Sequence, residues 1–286
     1  MPLVAVLLVV GAAACHTAWN LIFKSQPDRV DLSLGAIVVG VLLTSPVLAV
    51  YSLRDVPLEA WALILLSGVF ETAYVVGLTA AYQAGDLSLV YPIARGTPAL
   101  VVVPLSVVLL GEPLSATGLL GIALVVAGIF AAHLPGRRPA DTHAPGDTTR
   151  AVVLALLTGL TIAGYSFVNK LGVQQVPVPL YAALVFAVDA GLLAMVLRVR
   201  GTLRWPLARG RWKPAVAVGV LMMGAYMGVL GAMARAPLAY VVAAREVSIV
   251  MTTAAGVLLL GERASWQRLG GAALIFAGLV AIALSR

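Results

Sequence analysis

Five charged side chains lie deep inside apolar stretches, where charge is expensive. They are Glu71, Arg95, Asp189, Arg245 and Glu246, and His16 lies at a similar depth. An ionisable group near the middle of a bilayer-length helix costs about 2.5–3.5 kcal/mol on insertion scales, so each needs a structural or functional reason. Paired with one another, such groups hold helices together. Unmatched, they bind a charged solute or carry a proton. Arg95 and Arg245 oppose Glu71, Asp189 and Glu246, which leaves one acid over. A buried carboxylate with no cation beside it is suited to carrying a proton, and Glu71 is the first candidate carrier, Asp189 the second. Glu246 follows Arg245 directly, so on a helix the two point about 100° apart. One is expected to pack against a neighbouring helix while the other lines a pathway.

Aromatic and polar residues recur beside these charges at helical spacing. His16, Trp19, Asn20 and Phe23 share one face, as do Glu71 and Tyr74, Tyr91 and Arg95, and Tyr165 and Asn169. Tyr226 with Met222 and Met223 adds a soft surface. Tyr51, Trp61, Tyr181 and Trp266 lie at the ends of apolar stretches and are set aside as interfacial belt residues. A cage of Trp, Tyr and an acid suits an amine or quaternary ammonium, whereas arginines suit a carboxylate. Both together favour a zwitterion, of which an amino acid is the simplest. The substrate-binding candidates are therefore His16, Trp19, Asn20, Glu71, Tyr74, Tyr91, Arg95, Tyr165, Asn169, Tyr226, Arg245 and Glu246. No paired-acid phosphatase motif, metal-ligand cluster or Gly-x-Ser-x-Gly turn is present, and His16, His133 and His143 are scattered. The chain is read as no enzyme, with no metal and no cofactor.

Composition says what must position these residues. Hydrophobic residues make up 61% of the 286 and charged ones 11%, too few charges to cover a soluble domain. The chain is an all-α polytopic membrane protein in a lipid bilayer. Its excess charge of +7 sits mainly in loops, so it reports membrane orientation and not a nucleic-acid partner. The single Cys15 excludes a disulfide framework. No basic residue precedes the first apolar run, which continues past Cys15 to Phe23, so it reads as a span and not as a signal peptide.

Ten stretches are long enough to cross a bilayer: about 3–23, 33–53, 60–81, 87–109, 115–133, 151–171, 178–199, 214–234, 238–260 and 266–284. Residues 134–150 form a polar linker between a first five-helix repeat, 1–133, and a second, 151–286. Residues 84–132 align without a gap on 234–282, and sixteen of the forty-nine positions match. Arg95 falls on Arg245, and Leu109-Leu110-Gly111-Glu112 on Leu259-Leu260-Gly261-Glu262. The first helices correspond more weakly, with His16 to Asn20 and Lys24 opposite Ile162 to Ser166 and Lys170. Five helices per repeat is an odd number, so the two repeats are inverted about an axis in the membrane plane.

Two patterns of small and rigid residues accompany the repeat. Gly118, Gly121 and Gly128 in span 5, with Gly270, Gly271 and Gly278 in span 10, allow close helix approach, either in a homodimer or between the repeats. Pro92, Pro98 and Pro104 break the hydrogen-bond ladder of span 4, whereas span 9 has no proline, which marks the fourth helix as the mover.

Loop charge sets the orientation. Loops 1–2, 5–6, 7–8 and 9–10 hold thirteen basic residues, including Lys24, Arg29, Arg137, Arg138, Arg204, Arg209, Arg211 and Arg263. The other side holds four, Arg54, Lys170, Arg235 and Arg286. Basic loops stay in the cytoplasm, so both termini are expected outside.

Ten spans in five plus five, with Arg95…Leu110-Gly111-Glu112 and Arg245-Glu246…Leu260-Gly261-Glu262 closing the fourth and ninth, resemble the EamA-type drug/metabolite transporter superfamily. The His16-x-x-Trp19-Asn20 opening is similar to that of many members. The resemblance implies a solute carrier without ATP hydrolysis, a cavity between helices 1–4 and 6–9, and peripheral helices 5 and 10. Substrates across the family range over amino acids, drugs, sugars, nucleotide sugars and choline-like cations.

The expected function is secondary active export of a small metabolite, an amino acid or amine-bearing solute, by alternating access across the inner (plasma) membrane, with proton coupling through Glu71 or Asp189. Quaternary ammonium or drug-like cations and sugars are the alternative cargoes. A membrane-embedded enzyme, a channel and a flippase for lipid-linked solutes are the alternative classes. The orientation is directly testable. A cysteine placed after Arg286 is expected to react with an impermeant thiol reagent in intact cells, and one at Arg204 to stay protected. The reverse pattern contradicts the charge argument.

Overall fold

A computed structural model of the chain describes residues 1–24, 29–85, 87–133, 145–203, 212–260 and 265–285. Ten helices in it are long and apolar enough to cross a membrane: Leu3–Ile22, Leu32–Val50, Leu58–Ala84, Leu89–Leu109, Ala116–His133, Thr148–Gln175, Val178–Val199, Trp212–Met233, Leu238–Leu258 and Trp266–Leu284, called spans 1 to 10. Hydrocarbon offers the backbone no hydrogen-bond partners, so each apolar run satisfies its own N–H and C=O groups by coiling. Among the described residues there is no strand. The helix of span 6 begins at Pro145, so residues 145–150, read as linker, belong to it. Proline is well suited to a first helical position, where its missing N–H costs nothing.

The contacts between spans follow the inverted duplication. Span 3 packs on span 6 and span 8 on span 1; span 2 packs on span 8 and span 7 on span 3; span 4 packs on span 5 and span 9 on span 10. Exchanging each span for the one five places away maps this pattern onto itself. Spans 5 and 10 make the most extensive contact of all. The terminal ammonium of Met1 donates to the carbonyl of Ser285 at 2.5 Å, so both chain ends lie on one side. We call that side the termini face and the opposite one the linker face.

The glycines of spans 5 and 10 are used within the chain. A Cβ on Gly121 would sit 2.7 Å from the Gly278 carbonyl oxygen, and one on Gly128 equally close to that of Gly271. Two backbones can approach so closely only where side chains are absent. Gly270 faces open space and takes no part.

Helix interruptions fall differently from the proline pattern. Span 4 stays helical from Leu87 to Pro104 despite its three prolines, then widens into a π turn over Leu105–Leu109. The Leu110 N–H there reaches back to the Leu105 carbonyl at 3.2 Å, the wider ring of a π turn. Two spans break cleanly: span 2 at Ser45-Pro46, between Thr44 and Val47, and span 9, which has no proline. One helix covers Leu238–Ala244, the next Val247–Leu260, and Arg245-Glu246 form the turn between them. The N–H groups of Glu246, Ser248 and Ile249 donate three residues back instead of four, a local tightening toward 3₁₀ geometry. The tightened turn thus falls at the two consecutive charges of the span.

Lys170, counted as a loop charge on the termini side, is buried within the helix of span 6. Residues 134–144, with Arg137, Arg138 and His143, lie outside the described residues, as do Arg204, Arg209, Arg211, Gly261, Glu262, Arg263 and Arg286.

Candidate functional site

Spans 3, 6, 7 and 8 build an acidic group near mid-bundle. Glu71 Oε1 accepts from the Tyr226 hydroxyl at 2.8 Å and from Asn169 Nδ2 at 3.4 Å, and Ser67 Oγ lies 3.3 Å away. Ser67 and Glu71 are four residues apart, so helical spacing alone brings them together. Ser67 also donates to Asn169 Oδ1 at 2.6 Å, and the Tyr181 hydroxyl donates to the same oxygen at 3.0 Å. Next to Glu71 on the chain, Thr72 donates to Asp189 Oδ1 at 2.7 Å, which brings the second acid within electrostatic reach of the first. Among the described residues no cation forms an ion pair with either carboxylate.

The basic group is separate. Arg95 Nε of span 4 lies 3.1 Å from Glu246 Oε2, and Arg245 Nε lies 3.4 Å from Glu246 Oε1. One glutamate, 2% exposed, thus serves two arginines. The Arg95–Glu246 contact is Coulombic; neither of its two atoms finds a well-angled hydrogen bond. Glu246 points into the packing toward span 4, while Arg245 is half-buried and turns to span 6, where its Nη2 lies 3.4 Å from the Tyr165 hydroxyl. Each guanidinium also stands 5.9 Å from a ring centroid, Arg95 over Tyr91 and Arg245 over Tyr165, within the range of cation–π attraction. The charge count of the sequence, one acid left over, resolves as sorting: two acids on one side, two arginines with one acid on the other.

Spans 3 and 6 carry one residue of each group. Tyr74 follows Glu71 by three positions and Tyr165 precedes Asn169 by four, about one turn or roughly 4.5–6 Å along the axis. The rings of Tyr74 and Tyr165 meet edge to face at 6.2 Å, and Tyr74 lies within electrostatic reach of both Arg95 and Arg245. The two groups therefore stack along the same helices, one turn apart. Glu71, Tyr74, Tyr91, Tyr165 and Tyr226 are all half-buried.

The remaining predicted residues distribute less evenly. His16 meets Trp19 edge-on at 4.9 Å and lies in the field of both arginines. Asn20 donates its side-chain amide to the His16 carbonyl at 2.7 Å, so that donor serves its own helix. Tyr91 also stacks on His133 of span 5 at 4.9 Å, which joins one of the scattered histidines to the basic group. The side chain of Phe23 lies outside the described residues.

Several residues escaped sequence reasoning. Tyr181, set aside as a belt aromatic, is fully buried. Its ring occupies the space a side chain at Gly172 would need, and its hydroxyl reaches Asn169. Phe186 packs on Tyr226 at 5.1 Å. Lys170 donates to the carbonyls of Met233 at 2.7 Å and Ala236 at 2.9 Å and pairs with Glu112 Oε1 at 2.7 Å. Glu112 Oε2 in turn accepts from the Leu238 N–H at 2.7 Å and from the Ser106 hydroxyl. The Leu-Gly-Glu motif thus ties span 4 to spans 6, 8 and 9. Its signal in the sequence was the Lys24–Lys170 correspondence together with the repeated glutamate.

Comparison with known proteins gives a consistent picture. The family model described as EamA-like transporter family matches residues 3–133 and 149–284. No curated protein sequence matches significantly. A protein of known crystal structure is 18% identical, with 98% of this chain and 96% of that one covered, and superposes with a TM-score of 0.79. At that identity the likeness shows a shared fold.

Removing one partner of a buried ion pair leaves an uncompensated charge and costs about 3–5 kcal/mol. Glu246→Gln leaves two arginines facing each other and is expected to lower the melting temperature in detergent markedly. Adding Arg95→Met to the same chain is expected to recover part of the loss. Equal melting of Glu246→Gln and the parent contradicts the pairing.

Proposed function

Because this chain belongs to the EamA-like transporter family, we propose that it is a secondary carrier for a small zwitterion, an amino acid or a related amine-bearing metabolite, exported from the cytoplasm. It is a multi-pass membrane transporter of the drug/metabolite type; cargo, direction and residence in the inner membrane are our reading. The observation that carries it is the sorted charge: an acidic group around Glu71 one helical turn from arginines around Tyr165, with half-buried tyrosines between. An ammonium is drawn to Glu71 and to the faces of Tyr74 and Tyr226. A carboxylate is drawn to Arg245, whose single acidic partner is shared with Arg95. A sugar would leave the charges unused. A purely cationic cargo would leave the arginines facing it.

Inverted repeats support movement by rocking of one set of spans against the other around this midplane site, without ATP. Glu71 is the proposed proton carrier. The single hydroxyl hydrogen of Ser67 serves either Asn169 Oδ1 at 2.6 Å or Glu71 Oε1 at 3.3 Å. A proton on Glu71 satisfies the contact left over, and its departure frees the carboxylate for an ammonium. Asp189, held by Thr72, is the second candidate.

In proteoliposomes, transport is expected to run on a solute gradient alone and to respond to an imposed proton gradient. Glu71→Gln is expected to abolish the proton response while exchange continues. Full proton dependence in that variant removes Glu71 from the coupling. A melting-temperature screen against amino acids, quaternary amines, sugars and nucleotides tests the cargo class, because a ligand of the folded state alone raises the transition. Stabilisation by sugars or nucleotides with no response to any amine overturns the zwitterion reading.

A further inference from the structure

We infer that the Lys170–Glu112 pair is a lock that holds the bundle closed at the termini face, and that it parts when the carrier opens to that side. The inference rests on the transport reading, since only an alternating carrier needs one face to release.

The pair is built at a seam. Glu112 belongs to the first repeat and Lys170 to the second, and the backbone oxygen and nitrogen atoms around them come from the elbow between spans 8 and 9. The Lys170 ammonium has three donors, and the structure gives it three acceptors: the Met233 and Ala236 carbonyls at the end of span 8 and Glu112 Oε1. The second oxygen of Glu112 accepts the Leu238 N–H that opens span 9, and the Ser106 hydroxyl beside it. One ion pair therefore closes spans 4, 6, 8 and 9 together. Beside it, the Tyr240 hydroxyl of span 9 accepts the Ser115 N–H at the head of span 5, a second link across the repeats on the same face.

Position makes the lock responsive to the site. Lys170 directly follows Asn169 on span 6, about 100° around the helix. Asn169 holds Glu71, Ser67 and Tyr181, whereas Lys170 holds the elbow. A ligand or proton that changes the Asn169–Glu71 contact moves span 6, and with it the ammonium. Lys170 and Glu112 act as positioning residues: they set which face is open and touch no cargo.

The test reads sidedness without any solute. In a Cys15→Ala background, Val173→Cys reports from span 6 toward the termini face and Thr161→Cys from the same span toward the linker face. Impermeant thiol reagent is applied to each face of oriented vesicles. Lys170→Met and Glu112→Gln are expected to speed labelling of the Val173 reporter about tenfold or more, as a closed-face population gives way to an open one. Labelling of the Thr161 reporter is expected to fall. A loosened or misfolded bundle raises both rates, and a static weld alters neither while lowering the melting temperature; either result overturns the lock. Glu112→Gln keeps an acceptor for the Leu238 N–H, so it carries the same test if Lys170→Met does not fold. A wrong cargo assignment leaves these rates untouched, so failure of the lock and failure of the zwitterion reading are separable.

Discussion

Every charge inside this bundle must be answered from within, because hydrocarbon supplies neither water nor counter-ions. That constraint explains the architecture around mid-span better than any single contact does. Glu246 is shared by Arg95 and Arg245, Lys170 takes two carbonyls and a carboxylate, and Glu71 and Asp189 draw on hydroxyls and an amide. The break in span 9 falls at the two residues that carry charge there, Arg245 and Glu246. Discontinuous helices at the midplane are tolerated in membranes where they line a cavity or are buried in protein.

Symmetry sets the frame and chemistry departs from it. The principal contacts among the ten spans map onto themselves when the repeats are exchanged, and Arg95 and Arg245 occupy equivalent positions. The residue after each arginine differs: Glu246 in one repeat, Gly96 in the other. Gly96 packs against the ring of Phe130, so no acid could stand there without displacing it. One repeat therefore supplies the counter-ion for both. The acidic group is similarly one-sided, built from Glu71 of the first repeat and Asp189, Asn169 and Tyr226 of the second. An asymmetric lining within a symmetric frame suits a cargo whose two ends differ in charge.

Much of this was legible in the sequence. Ten apolar runs, the gapless match of 84–132 on 234–282 and an odd helix count together specify the inverted fold. The ionisable residues within those runs and the aromatics at helical spacing include the members of the acidic and basic groups. What stayed hidden depends on packing across the repeats. Tyr181 has the position of a belt residue, and only Gly172 on another helix makes room for it. Lys170 lies at a span end, where a lysine usually reaches the interface, and its burial depends on carbonyls exposed by the span 8–9 elbow. Prolines mark weak points in a ladder, yet span 9 breaks at Arg245-Glu246 without one, which proline spacing does not reveal.

The central claim is that opposite ends of one cargo are held by Glu71 and Arg245. It is tested by calorimetric titration of the parent, Glu71→Gln and Arg245→Met with alanine, alanine methyl ester and propionate. The parent is expected to bind alanine more tightly than either analogue. Glu71→Gln is expected to lose the preference for alanine over propionate and keep that over the ester, and Arg245→Met to do the reverse. Equal affinity of the parent for all three ligands, or a preference that neither substitution changes, would contradict the claim.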